Sequence, residues 1–289
     1  MPSRRCVSLL LLSLLALPTR AQDGRPDLLP EIVVEAPGEE EIVAFVGQVL
    51  PENRNRQLAR WHNPLCVAMR GFSPTMAERF QQQIQSIAAI GGLEAPVSGC
   101  RPNVIIILID DPDLLVDRMM KRYGYMFRPA STDDVRAALG EQHAVRIWYT
   151  TIKTGALNNG PQKQDEYGNP IVEQRRGPPE NSRLGKIMRT DLLWAMVVMD
   201  RPALAGKSVE SVASHVGMRL MGAFAADTQQ ATIPTILNLF QGERPQPVNL
   251  TDWDRALLRE LYAAPVSGHI DPQRRQIARR LTDTAAAQP

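Results

Sequence analysis

The sequence predicts a single α+β domain over residues 41–284: a mixed sheet of four or five strands, flanking helices and a helical C-terminal part. Two apolar runs, Val104–Ile109 and Leu192–Met199, are too short to cross a membrane. They are continuous enough to be strands covered on both faces. Behind the second run, Ser208 opens a stripe of Val209, Val212, Ala213, Val216, Leu220, Ala223 and Phe224 at three- and four-residue spacing. That spacing predicts a long amphipathic helix against which the earlier elements pack. No internal repeat is present, so a solenoid or propeller is not expected.

Residues 1–21 form a targeting segment. Arg4 and Arg5 are its basic start, Val7–Leu17 its apolar core and Thr19-Arg20-Ala21 its cleavage site. A signal peptide predicts a periplasmic or secreted protein of a Gram-negative bacterium, with no transmembrane segment after cleavage. Its removal takes three arginines and moves the formal charge from +2 to −1. No basic stripe remains to grip phosphates, so nucleic acid is excluded as a partner. Cys6 leaves with the signal. Cys66 and Cys100 remain as an even pair in an oxidising compartment, where a disulfide is expected. A bridge closing that 34-residue separation contributes roughly 3–4 kcal/mol in the chain-entropy model. Two buried thiols are the alternative; a metal pair lacks CxxC or Cys/His spacing.

Residues 22–40 are rich in Pro, Gly and acids and predict a flexible leader. Within it Glu31-Ile32-Val33-Val34 resembles the short box through which outer-membrane transporters engage an energising partner; an extended segment or edge strand is the other reading. A short helix over Glu39–Leu50 should stop at Pro51. Leu65–Met69 predicts a strand ending at Gly71, and Ser73-Pro74 starts a helix that ends at Gly91-Gly92. Asp111-Pro112 starts a helix through Met119 towards Tyr123. A shorter one over Asp133–Leu139 has Ser131 as its cap.

Val145–Thr151 alternates and predicts a less buried strand. Residues 154–183 are almost all Gly, Pro, Asn, Gln and charge, and predict a long hairpin, a flap or a disordered insertion. After the central helix come a short apolar stretch, Ile233–Phe240, and a helix capped by Thr251 and Asp254, with Trp253, Leu257, Leu258 and Leu261 inward. The last helix starts at Asp271-Pro272, frays after Thr282 and leaves a disordered tail at 285–289.

Three sets of residues invite a chemical reading. Arg201–Ser208 (RPALAGKS) lies between strand and helix, as a phosphate-binding loop does, but Arg201 replaces its first glycine and Pro202 removes a cradle amide. Asp110, Asp111 and Asp113 could hold a divalent cation, or cap the next helix. No GxSxG elbow exists, Ser214 beside His215 points elsewhere on a helix, and His62, His143 and His269 are scattered.

The third set is His215-Val216-Gly217-Met218-Arg219-Leu220-Met221-Gly222, which resembles the HExxHxxG frame of zincin metallopeptidases. That resemblance implies two histidines one turn apart holding zinc, with the intervening glutamate as base. His215 and Gly222 match. Val216 stands in place of the glutamate and Arg219, a fixed cation that repels a metal, in place of the second histidine. His215, Arg219 and Gly222 therefore mark a candidate cleft. No metal is expected there, and if one binds, His215 is its ligand; otherwise His215 is a half-exposed helix residue with a local hydrogen bond.

The whole mature chain is also similar to a family of exported proteobacterial proteins of uncharacterised activity. Pro64-Leu65-Cys66-Val67, Gly99-Cys100-Arg101-Pro102-Asn103, Leu250–Arg255 and Leu258–Tyr262 carry the similarity. It implies export and the disulfide and supplies no reaction. The expected function is a non-catalytic binding or assembly protein of the cell envelope, without cofactor, whose partner is an envelope protein or small ligand. The rivals are a zinc-dependent hydrolase with other ligands and a structural protein that engages a partner through its leader.

Overall fold

The computed structural model describes residues 37–50, 57–127, 132–140, 143–155, 188–225, 232–241, 246–265 and 269–286. The expected signal peptide, most of the expected leader with its Glu31–Val34 box, Ser131 and most of the 154–183 stretch lie outside them.

Four strands form one mixed sheet in the order β1-β2-β4-β3. They are β1 (Val67–Arg70), β2 (Val104–Ile109), β3 (Val145–Gly155) and β4 (Met188–Asp200). β1, β2 and β4 run parallel, with Val67 beside Val104 and Val104 beside Ala195. β3 closes the far edge antiparallel to β4, from Val145 opposite Met199 to Gly155 opposite Met188, with a register shift at Thr150/Thr151. The two apolar runs therefore occupy the two interior positions of the sheet. β2 departs from the expectation in one respect: Val104, Ile106 and Leu108 are buried, whereas Ile105, Ile107 and Ile109 are only half-buried.

That alternation reflects two unequal helical layers. On the thicker side β2, β3 and β4 meet α1 (Glu39–Val49), α2 (Pro74–Ile90), α5 (Val209–Met221), α6 (Asp252–Ala263) and α7 (Ile270–Ala286) in one large core. On the thinner side Met196 and Val198 pack with Val116 of α3 (Pro112–Tyr123), with Phe127, and with Val135 and Leu139 of α4 (Thr132–Leu139). Caps fix the helix starts: Ser73, Asp111, Ser208 and Thr251 each accept an amide of the first turn.

Cys66 and Cys100 are bonded, their Cα atoms 6.0 Å apart. Asn103 makes a second clasp at the same place: its Oδ1 accepts from Cys66 N and its Nδ2 donates to Pro64 O.

α1 starts at Glu39, the expected start of the helix over Glu39–Leu50, so that helix takes in the last two residues of the expected leader. Other boundaries move: α7 starts at Ile270. α7 also runs to Ala286, and Ala285 packs against the core, so the chain is ordered two residues into the expected tail. β3 and β4 continue past Thr151 and before Leu192, because each completes the other's backbone hydrogen bonds. The largest change is in α5, which ends at Met221 and is buried from Ser211 to Met221 on every side.

Among the described residues no helix is long and apolar enough to cross a membrane.

Candidate functional site

α5 carries His215, Arg219 and, at its cap, Gly222, and its burial decides what they can do. It packs against α2, with contact close enough that a Cβ on Gly217 would stand 2.6 Å from Ile87 Cδ1. A helix buried all round needs partners for each polar side chain it carries. Ser214 Oγ donates to Asn249 Oδ1 and accepts from Gln83 Nε2. His215, 3% exposed, has Nδ1 3.0 Å from Ile236 O and its ring edge-on to Phe240. Arg219, 5% exposed, donates from Nη1 to Val145 O at 2.9 Å. His215 is thus not half-exposed with a local bond; its partner lies 21 residues along the chain.

The C-terminus of α5 is equally committed. Its last carbonyls lack their usual intrahelical amides, apart from a long bond from Gly222 N to Arg219 O at 3.4 Å, and inside a core they meet no bulk water. Three side chains from separate elements supply the donors. Tyr149 Oη of β3 donates to Arg219 O at 2.8 Å, Trp61 Nε1 to Leu220 O at 2.6 Å and Tyr262 Oη of α6 to Met221 O at 2.8 Å. Gly222, extended at φ −161°, follows as the cap, where a Cβ would meet Leu261 Cδ2 at 3.0 Å. Its small size serves this approach.

Burial and the neighbouring Arg219 guanidinium push the His215 imidazole down to about 3, so the ring is neutral at neutral pH. Burial holds the Tyr149 hydroxyl up at about 12 despite Arg219. Neither group is a poised acid or base. Arg219, beside His215, places a fixed positive charge where a second zinc ligand would stand. The three predicted cleft residues do lie together, but in the interior and engaged with protein carbonyls and side chains.

The other candidates are also placed. Asp111 caps α3 through Leu114 N, Asp110 pairs with Arg201 and Asp113 with Arg146. The Arg201–Ser208 loop holds a short 3₁₀ turn before α5, and Arg201 reaches back over the sheet end, its Nη2 3.3 Å from Gly71 O. His62, His143, His215 and His269 sit on four different segments. Among the described residues no group of three or more His, Cys, Asp or Glu side chains could hold a metal ion.

A second polar centre, which no sequence motif marks, is built on the segment from Gln57 to His62. Gln57 to Trp61 are all buried. Leu58 N donates to Gln273 Oε1 of α7, Arg60 N donates to Thr190 O, and Leu192 N donates to Arg60 O. The Arg60 guanidinium caps α6, donating to Leu261 O at 2.7 Å, Ala264 O at 2.8 Å and Pro265 O at 2.9 Å. Burial lowers this guanidinium to about 10 even in that ring of carbonyls. Alongside it, Arg189 Nε lies 2.9 Å from Asp191 Oδ1, and His62 Nε2 lies 3.4 Å from the same oxygen. The only forewarning in sequence was Arg60 beside Trp61, two large side chains in a stretch without periodicity.

The buried acid Asp254 is structural too. Asp254 accepts from Thr235 Oγ1, Ile236 N and Thr251 N, tying the chain before α6 to its first turn. Burial raises its carboxyl above the ordinary range and outweighs those donors.

No family model, curated protein or solved structure matches this chain.

Proposed function

We propose that this chain is a non-catalytic binding or assembly protein of the cell envelope. It would be exported by its N-terminal signal and stapled by Cys66–Cys100, on a scaffold whose motif helix resembles a degenerate zincin helix. The observation that supports this reading is the use made of α5. A hydrolytic metal site needs ligands converging on an open coordination position. Here His215 is turned to Ile236 O, Arg219 to Val145 O, and Val216 is fully buried. The frame works as a hub for β3, α6 and the 57–62 segment.

In-cell crosslinking followed by purification of the mature chain tests the proposal. A binding or assembly protein is captured in a species larger than the chain alone. A chain that crosslinks to nothing, yet turns over a peptide or ester substrate in a chelator-sensitive way, contradicts it.

A further inference from the structure

The disulfide joins two unlike ends. Cys66 is 6% exposed, and its backbone is held without the sulfur: its N donates to Asn103 Oδ1, and its O accepts from Asn103 N and Val104 N. Cys100 is half-buried at the end of a loop whose Glu94, Ala95, Val97, Ser98 and Gly99 are exposed, Val97 by 77%. The other foot of that loop is fixed, since Leu93 N donates to Ala88 O of α2 and the Leu93 side chain packs on the core. At the Cys100 end the loop is held by a turn, Cys100 N to Val97 O at 3.2 Å, and by the disulfide. We propose that the Cys66–Cys100 bond is a thiol–disulfide exchange site for a dithiol oxidoreductase, whose action frees the 94–100 loop and leaves the sheet closed. Exchange starts at the sulfur that a protein thiolate can reach, and burial leaves that to Cys100. The partner's thiolate bonds to Cys100 Sγ, the Cys66–Cys100 bond breaks, and Cys66 leaves as a thiolate that takes up a proton. The partner's second thiolate attacks its own sulfur in the mixed disulfide, and Cys100 leaves as the second thiol. Two electrons thus pass from the partner's dithiol, which becomes a disulfide, to this pair. Cys66 stays where Asn103 and Val104 hold it, whereas the loop loses its anchor.

The test uses a CxxC oxidoreductase whose second cysteine is replaced by serine, so that exchange stalls at the mixed disulfide. Mixed with the full folded chain at neutral pH, it should form a one-to-one adduct that peptide mass spectrometry maps to Cys100. The urea-unfolded chain, with both sulfurs open, is the positive control. Reduction by the intact oxidoreductase should speed subtilisin cleavage within residues 94–99 roughly tenfold, since cleavage follows the population of the open form. Hydrogen exchange at Asn103 and Val104 N–H and along α5 should not change. An adduct from the unfolded chain alone, a linkage at Cys66, or unchanged cleavage overturns the proposal. So does a loss of protection at Val104 and α5 together with the loop, since the bridge would then be holding the whole fold.

Discussion

Removing one hydroxyl from Tyr262 should destabilise the fold although no packing is lost. Its Oη donates to Met221 O at 2.8 Å and accepts from Trp61 N at 3.4 Å. Tyr262→Phe leaves a buried carbonyl at the end of α5 with no replacement donor. An unsatisfied buried group costs about 1–3 kcal/mol, and the long bond from Trp61 N adds little, so a loss of about 2 kcal/mol is expected. Tyr149→Phe leaves Arg219 O with only the long bond from Gly222 N at 3.4 Å and should cost about 1 kcal/mol. Urea unfolding followed by far-ultraviolet circular dichroism measures both, with the slope m unchanged if only stability has moved. Val248→Ala, at a side chain 73% exposed, is the control and should stay within about 0.5 kcal/mol. A Tyr262→Phe midpoint equal to that of the control would refute the idea that aromatic donors are needed to bury the helix end.

Other consequences follow from neighbouring features. His215 is neutral in the fold with its imidazole near 3, against an ordinary value of 6.5. The unfolded chain therefore takes up a proton first, and stability falls as pH drops below 6.5, by about 1.4 kcal/mol per unit for this residue. His215→Gln should flatten that slope in denaturant titrations from pH 6.5 to 4; an unchanged slope refutes the assignment. Replacing Cys66 and Cys100 together by alanine should cost roughly 3–4 kcal/mol, yet leave a folded chain because Asn103 still clasps Cys66 N and Pro64 O. Loss of near-ultraviolet dichroism in that variant would show the clasp to be insufficient. Gly71 has φ +84° and its Cβ would lie 2.0 Å from Leu108 O, so Gly71→Ala should lower the melting temperature by several degrees; an unchanged value counts against this geometry.

Much of the fold was legible because local chemistry and tertiary position agree. Val104–Ile109 and Leu192–Met199 are apolar without interruption, and the sheet places them in its interior. Ser73, Asp111, Ser208 and Thr251 announced helices that begin where their side chains cap. The site was less legible. The spacing in α5 predicts an amphipathic helix on which His215 and Arg219 flank the apolar stripe, with Ser214 pointing elsewhere. Those residues are buried because Asn249, Ile236 and Val145 supply their partners, and no spacing within the helix encodes such distant contacts. The 57–62 segment has no period at all; Arg60 is satisfied by carbonyls about two hundred residues away, at Leu261 and Ala264.

Metal content of the protein, purified without chelator or histidine tag, bears most directly on the claim that α5 is structural. The account predicts no stoichiometric zinc and a urea midpoint unaffected by EDTA. About one zinc per chain, lost in His215→Ala, would contradict it and make the motif helix a metal site.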